Sequence, residues 1–171
     1  MMRSVAGALL LLAAGCGGVD PVGEPDSGGG GSADLSSAPE PKFSSLYSSY
    51  LNQCASCHAP GAPGRTSDIE QTLDFSTAAT GYTTLTTGMA LGLTGNQKGC
   101  NMTPFVVNGK PAQSLLVATL DSATRTAFDL PASPNCDSSA ISDETVKVGS
   151  APSEAFVVAL KQWVTDNAPN N

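Results

Sequence analysis

The chain has 171 residues and carries 8 basic and 15 acidic side chains, a net charge of −7 with its single histidine neutral. Hydrophobic residues make up 40% of it, which is enough for one folded domain of ordinary size. So acidic a chain argues against nucleic acid as a partner, because phosphate backbones are bound by clustered lysine and arginine. One histidine and scattered carboxylates give no pattern for acid–base catalysis, so we do not expect an enzyme.

The N-terminus has the pattern of an export signal. Arg3 supplies a positive charge, and the apolar run over 5–14 is too short to span a bilayer as a mature helix. Residues 12–16 read Leu-Ala-Ala-Gly-Cys, which resembles the lipobox of bacterial lipoproteins. The resemblance implies cleavage before Cys16 and a lipid on it, and Gly17 favours the outer membrane of a Gram-negative cell. An ordinary secretory signal is the alternative, and either signal takes the protein out of the cytoplasm.

The segment that follows is predicted to be a flexible linker. Residues 17–42 are rich in Gly, Ser, Pro and acidic side chains, with a run of glycines at 28–31. They show no apolar periodicity, so they cannot bury enough surface to offset the entropy of ordering. A coil of this length reaches about 28 Å on average, which would let a folded domain stand clear of a membrane.

The most specific motif is Cys-Ala-Ser-Cys-His at residues 54–58. This C-x-x-C-H spacing is typical of c-type haem attachment, because two thiols three positions apart can each form a thioether with one vinyl group of the porphyrin. The histidine beside them can then coordinate the iron. The motif therefore predicts one covalent haem c, with Cys54 and Cys57 as thioethers and His58 as the proximal ligand.

The other cysteines agree with this assignment. Once Cys16 is lipidated and Cys54 and Cys57 hold haem, Cys100 and Cys136 remain, and two leftover thiols in an oxidising compartment form a disulfide most simply. One alternative is a zinc site of four thiolates, although such sites usually offer two close cysteine pairs. A thioredoxin-like redox pair is another, although that motif follows a strand.

The first helix is predicted to end at the haem thiols. Apolar side chains recur at helical spacing over 43–54, and the Pro- and Gly-rich stretch 59–64 then breaks regular structure. The stripe consists of Phe43, Leu46, Tyr47, Tyr50, Leu51 and Cys54. Ser76 is the predicted N-cap of a weaker helix that reaches Leu85.

The rest of the chain predicts two further helices joined by long loops. A short helix is expected within 111–120, opened by a proline, with loops over 86–109 and 121–149. The last helix is expected to begin near 150–152 and to stop at 167. Its apolar face consists of Phe156, Val157, Leu160, Trp163 and Val164, which we interpret as core packing. No segment alternates long enough to indicate a sheet, so the predicted fold class is all-α.

A helix that ends in CxxCH and a C-terminal helix packed across it resemble the cytochrome c family. More closely, the chain resembles membrane-anchored monohaem cytochrome-c-like lipoproteins of Gram-negative bacteria. The resemblance rests on the segments 43–47, 54–58, 73–76, 107–116, 160–164 and 167–169. It implies a haem domain over 43–168, preceded by a signal peptide over 1–15 and a lipidated linker over 16–42, with a tail over 169–171. It also implies that a proline carbonyl orients His58, from Pro60 or Pro63.

The sequence lacks the residue that the family usually provides as the sixth iron ligand. The family usually presents a Met-Pro pair shortly before the last helix, whereas residues 145–149 read Thr-Val-Lys-Val-Gly. Met102, in the loop sequence Asn-Met-Thr-Pro, is the first candidate, and Met89 in another loop is the second. Lys147 or an open position are the alternatives. Either methionine would otherwise be a core gap-filler.

The sequence therefore predicts a lipid-anchored, envelope-located haem protein that passes electrons between redox partner proteins outside the cytoplasm. The domain 43–168 has a net charge of only −4, so it does not demand a basic partner. Arg65, Lys98 and Arg125 are candidates to pair with haem propionates, or else are solvated surface charges. A haem-based sensor with an open sixth position and a non-haem surface lipoprotein that binds other proteins are the alternative functions.

Overall fold

The structure, a computed structural model, describes residues 38–62 and 72–171. This part of the chain is helical and has no β-strand beyond one isolated antiparallel bridge between Met89 and Pro104, which confirms the predicted all-α class. The helices are α1 (Phe43–Ser49), α2 (Ala78–Thr87), α3 (Leu115–Leu120), α4 (Ser122–Thr126), α5 (Glu144–Val148) and α6 (Glu154–Thr165). Short 3₁₀ segments occupy Leu51–Ser56, Gly95–Cys100 and Pro111–Gln113.

The predicted signal peptide, the lipid site at Cys16 and most of the linker lie outside the described residues. None of the described helices is long and apolar enough to cross a membrane.

The first helix is shorter than its apolar stripe predicted. It ends at Ser49, Tyr50 leaves the helical region with φ −152°, and the chain continues as a 3₁₀ segment. The hydroxyls of Ser48 and Ser49 bond back to carbonyls three residues earlier, which competes with regular helical bonding. Phe43, Leu46, Tyr50 and Leu51 are nevertheless all buried.

Helix α6 packs across α1 through aromatic pairs. The ring centroids of Phe43 and Trp163 are 5.4 Å apart, and those of Tyr50 and Phe156 are 5.1 Å apart. The Trp163 indole donates to the carbonyl of Pro169 at 2.9 Å, so its polar edge is satisfied inside the core. The interpretation of these aromatics as core packing is confirmed, because both Trp163 and Phe156 are buried.

Two helix starts lie later than predicted. Helix α6 begins at Glu154 rather than at 150–152, because Ser153 is the N-cap and its hydroxyl accepts from the Phe156 amide at 3.1 Å. Helix α2 begins one residue late for the same reason. Thr77, not Ser76, forms a capping box with Thr80.

The prediction of an uninterrupted loop over 121–149 is wrong. Asp121 caps α4 by accepting from the Thr124 amide, and Asp143 caps α5 by accepting from the Thr145 amide. The Thr145 hydrogen bond, opposed by burial and aided by the charge of Arg125, lowers the pKa of Asp143. These helices are five residues long, too short for an apolar period to reveal them.

The predicted helix over 111–120 is divided into two elements. Ser114 adopts an extended backbone conformation between the 3₁₀ segment Pro111–Gln113 and α3.

A disulfide joins Cys100 to Cys136, as the cysteine count predicted. Their Cα atoms are 4.3 Å apart, and both residues are buried. The bond ties the segment that carries Met102 to the long loop after α4.

Candidate functional site

The CxxCH motif spans the end of the 3₁₀ segment that follows α1. Cys54 lies within this segment, Cys57 is its C-cap, and His58 follows directly. The amides of Cys57 and His58 both donate to the Cys54 carbonyl, at 3.2 and 2.8 Å, which folds the histidine back beside the first cysteine. Both cysteines are half-buried, and neither forms a disulfide.

His58 is held by Phe75. The Phe75 amide donates to the His58 carbonyl at 2.6 Å, and the two rings meet edge to face with centroids 6.2 Å apart. The Nδ1 atom of His58 is buried. The carbonyl of Phe75 in turn accepts from the Tyr47 hydroxyl of α1 at 2.7 Å. Phe75 belongs to the segment 73–76 on which the family resemblance rests, but sequence reasoning did not identify Phe75 or Tyr47 as supports of His58.

Electrostatics make Cys54 a poor nucleophile. Burial raises the pKa of Cys54 to about 12, and the charges of Glu144 and Cys57 act in the same direction. Catalytic and redox thiols have lowered pKa values, so this environment disfavours a thioredoxin-like pair. The zinc alternative also loses its ligands, because Cys100 and Cys136 are bonded to each other.

The two candidate distal methionines lie on segments that pair with each other. Met89 forms the antiparallel bridge with Pro104, and the Met102 amide donates to the Ala90 carbonyl at 2.7 Å. Met102 is 62% exposed and Met89 43% exposed, so neither fills a gap in the core.

The segment before α6, where the family usually has its distal ligand, is occupied by α5. Lys147, the alternative ligand there, points its ammonium at the Glu144 carboxylate, 3.0 Å away. Just after α5, the Ser150 hydroxyl donates to the Gln53 carboxamide oxygen at 3.3 Å, so the end of α5 lies beside the segment that carries Cys54.

Of the basic residues considered for haem propionates, Arg125 has another role. Its guanidinium is 2.6 Å from Asp143 and also donates to the carbonyls of Ala118 and Thr119, so it ties α3 to α5. With a side chain only 14% exposed, it is not a solvated surface charge either. Lys98 is exposed, whereas Arg65 and Pro63 lie outside the described residues.

Within residues 38–62 and 72–171, no three or more His, Cys, Asp and Glu side chains gather into a metal-binding group. Comparisons of the chain with protein-family models, with curated proteins and with solved structures gave no match.

Proposed function

We propose that this chain is a monohaem c-type protein that transfers electrons outside the cytoplasm and is held at the cell envelope by a lipid on Cys16. One observation carries the proposal: the sequence Cys54-Ala-Ser-Cys57-His58, with the only histidine of the chain at the ligand position. The helical fold, the packing of α6 across α1, and the 3₁₀ segment that leads into the CxxCH motif support a cytochrome c-like domain.

The attachment chemistry needs only these side chains. Each thiol adds across one vinyl group, so that a sulfur–carbon bond forms and the thiol hydrogen ends on the neighbouring carbon. Haem, when bound, supplies an iron that takes up and releases one electron. His58 would hold that iron through Nε2, while the Phe75 amide and ring fix the backbone and orientation of the imidazole.

Production of the full chain with c-type maturation machinery tests this proposal. We expect a pyridine haemochrome spectrum of the c type, an intact mass raised by one haem, and haem that stays with the protein in acidified acetone. The variant Cys54→Ala/Cys57→Ala should lose covalent haem. A colourless wild-type protein whose two thiols alkylate freely would refute the proposal and favour the non-haem surface lipoprotein.

The lipid anchor is tested separately from the haem. Radiolabelled palmitate should label the wild-type chain in a Gram-negative host, and the label should sediment with membranes. Cys16→Ser should abolish both. Labelling that survives this substitution would rule out Cys16 as the acylated residue.

A haem-based sensor is the second candidate function, and the helix α5 in place of a ligand loop before α6 favours it. An iron with an open sixth position binds carbon monoxide readily when ferrous. Rapid carbon monoxide binding by the wild-type protein would support this function, and failure to bind would exclude it.

A further inference from the structure

Met102 has an unusual backbone for its residue type. Its φ is +68°, in the left-handed region that residues with a Cβ rarely adopt. Its side chain is also the more exposed of the two methionines. Burial of the thioether therefore does not offset the unfavourable backbone conformation of Met102.

Both sides of Met102 are fixed by hydrogen bonds. The Asn101 carboxamide pairs with the backbone of Leu93, accepting from its amide at 2.8 Å and donating to its carbonyl at 3.0 Å. The Met102 amide donates to Ala90, and the Ala90 amide donates to the Thr103 carbonyl at 2.9 Å. We call residues 88–105, held together by these bonds, the methionine clamp.

The clamp holds a second unexplained feature. Thr103 is fully buried, and no partner within the described residues reaches its hydroxyl Oγ1. A buried hydroxyl without a hydrogen bond destabilises the folded state. Backbone strain and an unmet hydrogen bond thus occur at adjacent residues, a combination that is concentrated at functional sites.

The clamp also presents an apolar surface. Three of the five large apolar side chains that are exposed among the described residues, Met89, Leu91 and Met102, belong to it. A haem face is an occupant of suitable chemistry, because it is flat and apolar and its iron accepts a thioether.

A rigid element links the clamp to the support of His58. At the start of α2, a Cβ on Gly81 would lie 3.2 Å from the Phe75 ring, so α2 packs directly on the residue that holds the histidine. The same helix ends at Thr87, and the clamp begins at the next residue, Gly88, where a Cβ would lie 3.3 Å from the Phe105 ring. Helix α2 therefore contacts both the residue that supports His58 and the clamp.

We propose that the methionine clamp supplies the sixth ligand through Met102, and that Asn101 is a positioning residue for it. The proposal rests on the proposed function. It departs from the family pattern, in which the ligand precedes the last helix, and it assigns that role to a loop closed by the Cys100–Cys136 disulfide and the Asn101 side chain. Holding the ligand rigidly limits rearrangement on electron transfer, and thioether ligation raises the potential.

Haem-loaded full-length Met102→Leu and Met89→Leu, compared with wild type, test the choice of ligand. The ferric wild type should show the weak red absorption band of thioether-ligated haem and should bind carbon monoxide slowly or not at all when reduced. Met102→Leu should lose the band, bind carbon monoxide and have a lower midpoint potential. Met89→Leu, the matched control, should retain wild-type spectra.

The outcomes separate this inference from the proposed function. Loss of the band in Met89→Leu but not in Met102→Leu would overturn it, as would a wild-type protein that has covalent haem but no thioether band. In both cases the proposed haem function survives. Absence of covalent haem from the wild type would overturn both.

Asn101→Ala tests the positioning role, with the exposed Asn108→Ala as its control. We expect covalent haem and the helical circular dichroism to be retained in both. Asn101→Ala alone should weaken the red band and speed carbon monoxide binding at least several-fold. If both variants match the wild type in these two readouts, Asn101 does not position the ligand.

Discussion

At the scale of single residues, the backbone of His58 is fixed from α1 by two hydrogen bonds in series, Tyr47 to Phe75 and Phe75 to His58. The sequence motif predicted Cys54, Cys57 and His58 because thioether chemistry fixes their spacing. It could not predict Tyr47 and Phe75 in these roles, because the two residues are 28 positions apart and no local pattern joins them.

Tyr47→Phe removes the hydroxyl that donates to the Phe75 carbonyl and keeps the ring. Since Phe75 is buried, its carbonyl loses a partner that water replaces poorly, and we expect the free energy of unfolding to fall by about 1–2 kcal/mol. Urea unfolding measures this change. Ser48→Ala, which removes the exposed hydroxyl bond to Ser45, should stay within about 0.5 kcal/mol of wild type. Equal losses in both variants would argue against a special role for the Tyr47 bond.

At the scale of elements, the helices with long apolar stripes could be predicted from the sequence, whereas the short helices could not. The faces of α1 and α6 were predicted because burial selects apolar residues at helical spacing. Helices α4 and α5 exist through side-chain caps, from Asp121 and Asp143, and through the Arg125 tie between α3 and α5. Such contacts across the chain leave no periodic signal, so the sequence predicted a loop there.

The N-cap of α6 gives the first prediction at this scale. Ser153→Ala leaves the Phe156 amide without its cap and should lower the free energy of unfolding by about 1 kcal/mol. The control is Thr165→Ala at the exposed C-terminal end of the same helix, where the hydroxyl only bonds back to Lys161. Thermal and urea unfolding should both show a larger loss of stability for Ser153→Ala than for Thr165→Ala. A smaller loss for Ser153→Ala than for Thr165→Ala would contradict the capping role.

Asp121 gives the second prediction, because it joins α4 to α6. Burial opposes its ionisation, but hydrogen bonds from Lys161 and Thr124 and the lysine charge together lower its pKa to about 2, from 3.8. A carboxyl with a lowered folded pKa contributes stability above the unfolded value and loses it as the pH falls through the folded value. The loss, about 1 kcal/mol after solvent screening, therefore falls between about pH 4 and pH 2.

The measurement is urea unfolding at neutral pH and across that acidic window. Asp121→Asn should be less stable than wild type at neutral pH, and the difference should shrink towards pH 2. Asp129→Asn, which changes an exposed carboxyl, is the control. A difference between Asp121→Asn and wild type that stays constant with pH would show that the effect comes from shape rather than charge.

At the scale of the whole molecule, the Cys100–Cys136 disulfide closes a long loop over a helical core of modest size. The two cysteines are 36 positions apart in sequence, so the bond removes much freedom from the unfolded chain. Cys100→Ala/Cys136→Ala should therefore lose about 3–4 kcal/mol in urea unfolding. Wild type treated with reductant under unfolding conditions should match the variant. A loss below about 1 kcal/mol would mean that the loop is held by its other contacts.

The first described helix and the last residue of the chain are bonded to each other. Asn171 accepts from the Phe43 amide with its side chain and from the Ser44 amide with its carbonyl, both at 3.1 Å, although the sequence assigned 169–171 to a tail. Residues 43 and 171 therefore lie next to each other. A circular permutant that joins them through a short peptide and begins at an exposed turn such as 137–139 should keep the same core packing. Such a circular permutant would carry any fused anchor on a different side of the domain, with the order of elements around the core unchanged.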